Sequence, residues 1–233
     1  MEFKLFKKLA SLEGWELYLL LIVAAAAAAL TVCVVRYRFR ARAATQGAGE
    51  GANVKTDRTR ALVYGALSVT LSFVLSYFKL FSMPFGGSIT LVSMLPVMLY
   101  ASLFGPAYGF TAAFAYSLLQ VVQGPYIVHP VQFILDYFVA FTCLGLAGLF
   151  PGKPALGAAV GGFARMLVSV VSGAIFFREA GLDYGMADPW LYSLVYNVLT
   201  VGVDTVLCVV VAVLPPFRRM TAALLPGAKA EAD

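Results

Sequence analysis

A single acidic side chain, Asp136, lies inside the apolar run from Val131 to Phe141. A charged side chain at the centre of a membrane-spanning helix costs about 2.5–3.5 kcal/mol even by lenient estimates, so it usually faces a cavity, a partner or a ligand. A lone carboxylate in this setting can bind a cation or an amine, or it can hydrogen-bond between helices. The side chains at the same depth in other helices help to distinguish these two roles of the carboxylate.

Asp136, Ser169 and Asn197 lie at similar depths in three predicted helices. A helix rises about 1.5 Å per residue, which places each of them roughly 9–12 Å below the same end of the helical block. Tyr137 and Tyr192 belong to this layer. The aromatic residues predicted to roof the layer are Phe177, Tyr126, Tyr184 and Trp190.

This combination of groups is typical of a pocket for a small, flat ligand that is cationic or carries an amine. Aromatic faces attract cations, by about 2 kcal/mol or more in a desolvated site. The alternative is that Asp136 is protonated or hydrogen-bonded between helices, while the aromatic residues form an interfacial belt. The spacing favours the pocket and leaves the alternative open.

A second pair of charges, Arg165 and Asp204, lies closer to the other end of the block, at matching depths in two predicted helices. Because an unpaired charge is hard to tolerate there, we predict a structural ion pair. A proton or ion relay is the alternative, and it would need more titratable groups.

Other chemistry finds little support. The lone histidine, His129, has no second ligand at a useful spacing, so no metal site is expected. Ser169 has no buried histidine to act as a base, which argues against intramembrane proteolysis. No phosphate-binding loop of the Walker type is present, so the chain itself should not use ATP. We expect neither an enzyme nor a cofactor.

The composition identifies the elements that must position these residues. Of 233 residues, 61% are hydrophobic and only 12% are charged, whereas a soluble domain has roughly 25% charged residues. The net charge of +5 comes from basic residues beside apolar runs, as in membrane topology signals, and does not indicate nucleic-acid binding. The sequence predicts an all-α protein that crosses the lipid bilayer several times.

We predict seven membrane spans, of which the first is set apart from the other six. The predicted spans are 15–35, 60–81, 88–104, 106–122, 130–150, 155–177 and 190–214. The basic, Gly/Ala-rich composition of residues 36–59 is typical of a flexible linker, which we place in the cytoplasm. The predicted domains are therefore an extra N-terminal helix at 1–35, the linker at 36–59, a six-helix domain at 60–219 and a cytoplasmic tail at 220–233.

The arginine cluster after the first span sets the predicted orientation. Arg36, Arg38, Arg40 and Arg42 place the linker in the cytoplasm, which puts the N-terminus outside and the C-terminus inside a bacterial-type plasma membrane. The outward loops are aromatic and polar, as ligand-holding loops are. In the first of them, Gly86, Gly87 and Ser88 are predicted to form a lid.

Small residues recur at four-residue spacing, which permits close contact between helices. Ala61 and Gly65 form one such pair, and Gly157 with Gly161 forms another. Docking of a partner subunit and ordinary packing inside the bundle both fit this pattern, and the sequence leaves the two open.

Residues 60–219 resemble the thiamine-specific substrate-binding subunit, or S-component, of energy-coupling factor (ECF) vitamin transporters. The segments that carry the resemblance are Pro84-Phe85-Gly86-Gly87-Ser88-Ile89-Thr90-Leu91, Leu135-Asp136-Tyr137-Phe138-Val139-Ala140, Leu144-Gly145-Leu146-Ala147-Gly148-Leu149-Phe150, Ser172-Gly173-Ala174-Ile175-Phe176-Phe177 and Tyr192-Ser193-Leu194-Val195-Tyr196-Asn197. Any one of them is weak alone, but together and in order they are fairly specific.

The resemblance implies a six-helix fold that binds thiamine from outside and docks onto a membrane scaffold (T) subunit carrying two ATPases. It implies that Asp136 contacts the vitamin with Tyr137 beside it. It places Tyr126 before that helix, Tyr192 and Asn197 on the last helix, and Phe177 where the family often has a larger aromatic residue. Partner docking would involve Ala61, Gly65 or Ala66.

The chain departs from the family pattern at several positions. The family more often has Glu at the place of Asp136, and a histidine common in the fifth helix is replaced by Ser169. The N-terminal helix is additional to the usual six. Besides thiamine, a thiamine precursor or another heteroaromatic vitamin is therefore open as the ligand, and a membrane scaffold protein is the alternative from another functional class.

Overall fold

The computed structural model describes residues 53–177, 181–182 and 185–224. The predicted N-terminal helix at 15–35, most of the linker and the end of the tail lie outside the described residues. Those parts of the domain prediction stay predictions.

Seven helices of ten or more residues follow one another along the described chain. We number them α1 to α7, with a two-stranded hairpin between α1 and α2. The helices are α1 (Asn53–Tyr77), α2 (Leu95–Phe104), α3 (Pro106–Val122), α4 (Pro130–Leu149), α5 (Pro154–Phe176), α6 (Pro189–Val213) and α7 (Pro215–Leu224), and the strands are β1 (Lys79–Ser82) and β2 (Ser88–Thr90).

Four of the described helices are long and apolar enough to cross a membrane, namely α4, α5, α6 and the part of α1 from Arg58 to Tyr77. The shorter α2 and α3 complete the six-helix bundle predicted from the sequence. All eight predicted span ends lie within one residue of the ends of α3 to α6. The all-α membrane fold is confirmed.

The sequence prediction is wrong at the hairpin. The span predicted at 60–81 ends as a helix at Tyr77, and the span predicted at 88–104 becomes helical only at Leu95. Between them β1 and β2 pair antiparallel, with Ser82 opposite Ser88. Hydrogen bonds to the neighbouring strand of the hairpin, rather than local apolarity, decide the conformation of these residues.

Proline fixes where most of the helices begin. A proline at the first turn loses no hydrogen bond, because the first backbone N–H groups of a helix have no partner within it, and its φ angle already suits the helix. Such first-turn prolines are Pro96, Pro106, Pro130, Pro154 and Pro189. Between α2 and α3, Gly105 has a φ of 87°, a backbone conformation that favours glycine.

The two helices that carry the predicted acid and amide are not uniformly α-helical. Residues Ile134–Val139 of α4 and Val198–Gly202 of α6 form π-helical turns. Asp136 lies inside the first turn, and Asn197 immediately precedes the second. Such turns insert one extra residue and are frequent at functional sites because they change the direction of the side chains around them.

The core is built around α2. Met94, Val97, Met98 and Ala101 are at most 1% exposed. Small residues let neighbouring backbones approach this centre: a Cβ on Gly157 would lie 2.9 Å from the Ala147 carbonyl oxygen. Gly157 is thus used for packing inside the bundle.

The docking prediction is wrong for two of its three residues. Ala61 is 1% exposed, and its carbonyl oxygen accepts a 2.9 Å hydrogen bond from the Tyr100 hydroxyl. A Cβ on Gly65 would also meet the Tyr100 hydroxyl, at 2.9 Å. Both small residues face inward because they make room for this tyrosine. Ala66 is exposed and remains available to a partner.

Candidate ligand-binding site

A cavity of about 190 Å³ lies at the end of the bundle that carries the hairpin, which we call the hairpin end. It is bounded by the hairpin, by the loop between α3 and α4, and by α4, α5 and α6. The residues of the predicted site that line it are Asp136, Tyr137, Tyr126, Tyr192, Asn197, Phe177 and Ser169, together with Gly86, Gly87 and Ser88 of the predicted lid. Depth along the helices had grouped Asp136, Tyr137, Ser169, Tyr192 and Asn197, and all five line this cavity.

The other two aromatic residues of the predicted roof are Tyr184 and Trp190. Tyr184 lies outside the described residues. Trp190 is 55% exposed and is not among the side chains that line the cavity.

The carboxylate of Asp136 is held by a residue one turn earlier in α4. The Gln132 side-chain amide donates a hydrogen bond of 2.7 Å to Asp136 Oδ2. Ser172 lies near the carboxylate, but its buried hydroxyl makes no hydrogen bond in this structure. Asp136 thus keeps one oxygen for a further partner in the cavity.

Three aromatic rings from three different segments meet above the cavity. Tyr126 stacks on Phe177 at a centroid distance of 6.0 Å and an interplanar angle of 28°. Phe85 meets both rings edge-on, at 6.1 Å from Tyr126 and 6.3 Å from Phe177. We call these three residues the aromatic roof, and their faces suit a planar ligand.

Two side chains of α4 hold the backbone of Tyr126 in place. Its N–H donates to the Tyr137 hydroxyl oxygen at 2.9 Å, and its carbonyl oxygen accepts from the Gln132 amide at 3.2 Å. Tyr137 therefore uses its hydroxyl to hold the roof, while its ring lines the cavity.

The hairpin loop is fastened to α6 by Tyr196. The Tyr196 hydroxyl accepts a hydrogen bond of 2.8 Å from the N–H of Gly87 and donates one of 2.5 Å to the carbonyl oxygen of Pro84. Position 87 has no room for a side chain, because a Cβ there would collide with the Tyr196 ring. These contacts hold the loop at the cavity, which Gly86 and Gly87 line.

Asn197 uses its amide nitrogen for packing between helices. That nitrogen donates to the carbonyl oxygens of Ser193, at 2.9 Å, and Ser169, at 3.2 Å. In the described part of the chain no hydrogen bond engages the Asn197 side-chain oxygen, so this oxygen is the group that can accept a hydrogen bond from a ligand.

The predicted ion pair between Arg165 and Asp204 is wrong. Both residues line the floor of the cavity, but among the described residues no salt bridge joins them. The guanidinium donates to Met94 Sδ at 2.6 Å and lies over the Phe141 ring at 3.9 Å. Equal depth did not bring the two charges together, because depth says nothing about which way a side chain points around its helix.

Asp204 belongs instead to a chain of hydroxyl groups. Its Oδ2 accepts from Thr90 Oγ1 at 2.9 Å, Thr90 is 2.7 Å from Ser93 Oγ, and the Tyr116 hydroxyl donates to Ser93 at 3.2 Å. Thr90 ends β2, so the hairpin places a hydroxyl where the ion-pair prediction expected the guanidinium.

His129 caps a helix. Its Nδ1 accepts from the Val131 N–H at 3.2 Å, and its ring stacks on Phe176 at 5.0 Å. Among the described residues no cluster of His, Cys, Asp and Glu is arranged to hold a metal ion.

Sequence reasoning did not assign several residues of the cavity. The chief ones are Gln132, Tyr196, Phe85, Tyr116, Gln120, Gln123 and Lys79. Gln132 could have been predicted from the sequence. It is a polar residue four positions before Asp136 in an apolar run, and residues at this spacing share a helix face. The role of Tyr196 depends on the hairpin, which the sequence did not predict.

A family model described as "Thiamine transporter protein" matches residues 62–223. This chain belongs to that family. Family members are transporters rather than enzymes, so the prediction that the chain is not an enzyme is confirmed. Together with its membrane-spanning helices, membership makes it a multi-pass membrane protein of the thiamine transporter family.

Individual members agree with this placement. The chain is 32% identical to the thiamine transporter ThiT of Bacillus subtilis over 164 residues, covering 63% of this chain and 82% of the relative. It is 30% identical over 110 residues to ThiT of Lacticaseibacillus paracasei, covering 40% and 54% of the two chains.

A solved structure of ThiT from Listeria monocytogenes has the same fold. The TM-score is 0.56 at 23% identity, and the match covers 73% of this chain and all of that chain. The alignment supports the S-component-like six-helix architecture of the family.

Proposed function

We propose that this chain binds thiamine in the hairpin-end cavity and serves as the substrate-binding subunit of an ECF-type transporter. Membership of the thiamine transporter family supports thiamine as the transported compound. The observation that carries the binding site is the convergence of Asp136, the aromatic roof and the Asn197 side-chain oxygen on one cavity at the hairpin end.

The cavity offers a carboxylate to a positively charged ligand. Its described lining holds two acids, Asp136 and Asp204, and two bases, the buried Arg165 and the exposed Lys79, so its formal charges balance. Among the described residues neither base forms a salt bridge with Asp136, so a cationic ring can lie beside this carboxylate, and aromatic faces above it would add cation–π attraction. We place the positive ring of thiamine next to Asp136 and under the aromatic roof.

The chain carries out no covalent step in this proposal. Its residues bind and orient the vitamin, and the Gly86–Gly87 loop excludes water above it. Transport energy comes from two ATPase subunits held by a membrane scaffold subunit, with Ala66 on the exposed side of α1 available for docking. We expect no cofactor in this chain.

The hairpin end faces outward in this proposal. Among the described residues, the hairpin carries one exposed basic side chain, Lys79, whereas segments at the opposite end of the helices carry five, namely Arg58, Arg60, Lys153, Arg218 and Arg219. Basic residues concentrate on the cytoplasmic side of membrane proteins. This charge distribution supports a cytoplasmic C-terminus and a cavity that captures its ligand from outside.

The thermal stability of the purified full-length protein tests the proposed function. Thiamine at 100 times its Kd should stabilise the folded state by about 2.7 kcal/mol. A neutral pyrimidine precursor lacking the positive ring should give a smaller shift at the same concentration. A larger shift with the precursor would make the precursor the ligand, and no shift with any vitamin would favour a scaffold role.

A further inference from the structure

Gln132 is buried beside the cavity, with 2% of its surface exposed, and its side-chain amide makes three hydrogen bonds. The nitrogen donates to Asp136 Oδ2 at 2.7 Å and to the Tyr126 carbonyl oxygen at 3.2 Å. The oxygen accepts from the Val128 N–H at 3.1 Å. Both amide hydrogens and the oxygen are therefore used.

The surrounding groups permit only one orientation of this amide. If it were flipped, its oxygen would face two other acceptors, the carboxylate of Asp136 and the carbonyl of Tyr126. Its nitrogen would face the Val128 N–H, donor against donor. A buried amide with mismatched partners loses the hydrogen bonds that offset its desolvation, so the network keeps the nitrogen on the side of Asp136.

This orientation determines which part of the carboxylate a ligand can meet. Oδ2 is occupied by the Gln132 amide, and no hydrogen bond engages Oδ1 anywhere in the described chain. A charge-assisted hydrogen bond of this length restricts rotation of the carboxylate. Asp136 is thus held with one defined oxygen left for the ligand.

The other two hydrogen bonds of Gln132 run to the loop of residues 124–129. That loop supplies Tyr126 to the aromatic roof, so the same amide touches the acid below the ligand and the backbone above it. We propose that Gln132 is a positioning residue that presents Asp136 Oδ1 to the ligand and couples the charge of Asp136 to closure of the 124–129 loop. This inference rests on the proposed function, since it concerns how the same cavity binds its cation.

A double-mutant cycle on thiamine affinity tests the proposal in the purified full chain. Gln132→Met keeps the length of the side chain and removes all three hydrogen bonds. We expect it to weaken thiamine binding about tenfold, or about 1.4 kcal/mol. In an Asp136→Ala background, where no carboxylate remains to be positioned, the same substitution should cost less than threefold.

A purely structural role for Gln132 would give a similar loss in both backgrounds, because effects of independent sites add. Ser117→Ala is the matched control. Ser117 is fully buried, its hydroxyl donates to the Phe114 carbonyl oxygen at 2.7 Å, and it does not line the cavity. This control should change thiamine affinity less than twofold.

Amide hydrogen exchange provides a second test that needs no variant of Gln132. Saturating thiamine should slow exchange of the Val128 amide hydrogen in the wild-type protein. In the Asp136→Ala variant saturated with thiamine, exchange of the same hydrogen should change little. Equal protection of Val128 in both proteins would overturn the coupling.

The two hypotheses fail in different ways. Absence of thiamine binding to the wild type would overturn the proposed function and the inference with it. Tight binding to the wild type with an unchanged affinity in Gln132→Met would overturn the inference alone.

Discussion

At the residue scale, the central feature is the carboxylate of Asp136 with one oxygen engaged and one available. Its hydrogen-bond partner is Gln132 of α4, which is in turn bonded to the loop before the helix, so the acid is positioned before any ligand arrives. Preorganisation of this kind lowers the entropic cost of binding.

Replacing the charge of Asp136 should matter more than changing its length. Asp136→Asn keeps the size of the side chain and loses the charge, and we expect thiamine binding to weaken at least about 30-fold, or about 2 kcal/mol. Asp136→Glu keeps the charge and should retain more affinity than Asn. Titration calorimetry on both variants measures this order, and an Asn variant that binds better than Glu would contradict the account.

The members of the site could be found from sequence, but their individual contacts could not. Depth along helices grouped Asp136, Ser169 and Asn197 in advance, and the structure places all three around one cavity. The same reasoning failed for Arg165 and Asp204, because the direction of a side chain around its helix depends on packing. Here Phe141 and Met94 receive the guanidinium.

At the element scale, the hairpin and the two π-helical turns give the site its shape. The hairpin brings Phe85 over the cavity and Thr90 to its floor. Both π-helical turns lie at residues that line the cavity, Asp136 and Asn197. Neither feature was predicted. Apolar strand residues such as Leu80, Phe81 and Ile89 continue the apolar runs of the adjoining helices, and one inserted residue barely changes the apolar pattern of a helix.

Tyr196 should control how long the ligand stays bound. Tyr196→Phe removes the hydroxyl that fastens Gly87 and Pro84 of the hairpin loop, and loss of two hydrogen bonds should speed thiamine dissociation about tenfold. The association rate should change less. Stopped-flow measurement of both rates provides the check.

Tyr100→Phe is the matched control for this prediction. It also removes one hydroxyl that bonds a carbonyl group, at Ala61, but lies away from the cavity. Equal dissociation rates in Tyr196→Phe and Tyr100→Phe would show that the fastening of the loop has no kinetic role.

At the scale of the whole molecule, capture of thiamine from outside requires the cavity to open on the side of the membrane opposite the cluster of basic residues. The positions and order of the helices were largely predictable, since apolar runs and first-turn prolines mark their ends. The orientation was also predicted from charge, and it can be tested directly in cells.

Single cysteines introduced into a cysteine-free version of the chain should report this orientation. Ala187→Cys, exposed before α6 at the hairpin end, should react with a membrane-impermeant maleimide applied to intact cells. Lys153→Cys, exposed in the turn between α4 and α5, should react only after the membrane is permeabilised. The reverse pattern would place the cavity on the cytoplasmic side.

The central claim is that thiamine occupies the hairpin-end cavity with its positive charge next to Asp136. An experimental structure of the full chain with bound thiamine tests this most directly. We predict the vitamin under the aromatic roof formed by Phe85, Tyr126 and Phe177, with Asp136 Oδ1 in direct contact with it. Thiamine bound elsewhere, or bound in this cavity without contact to Asp136, would contradict the account.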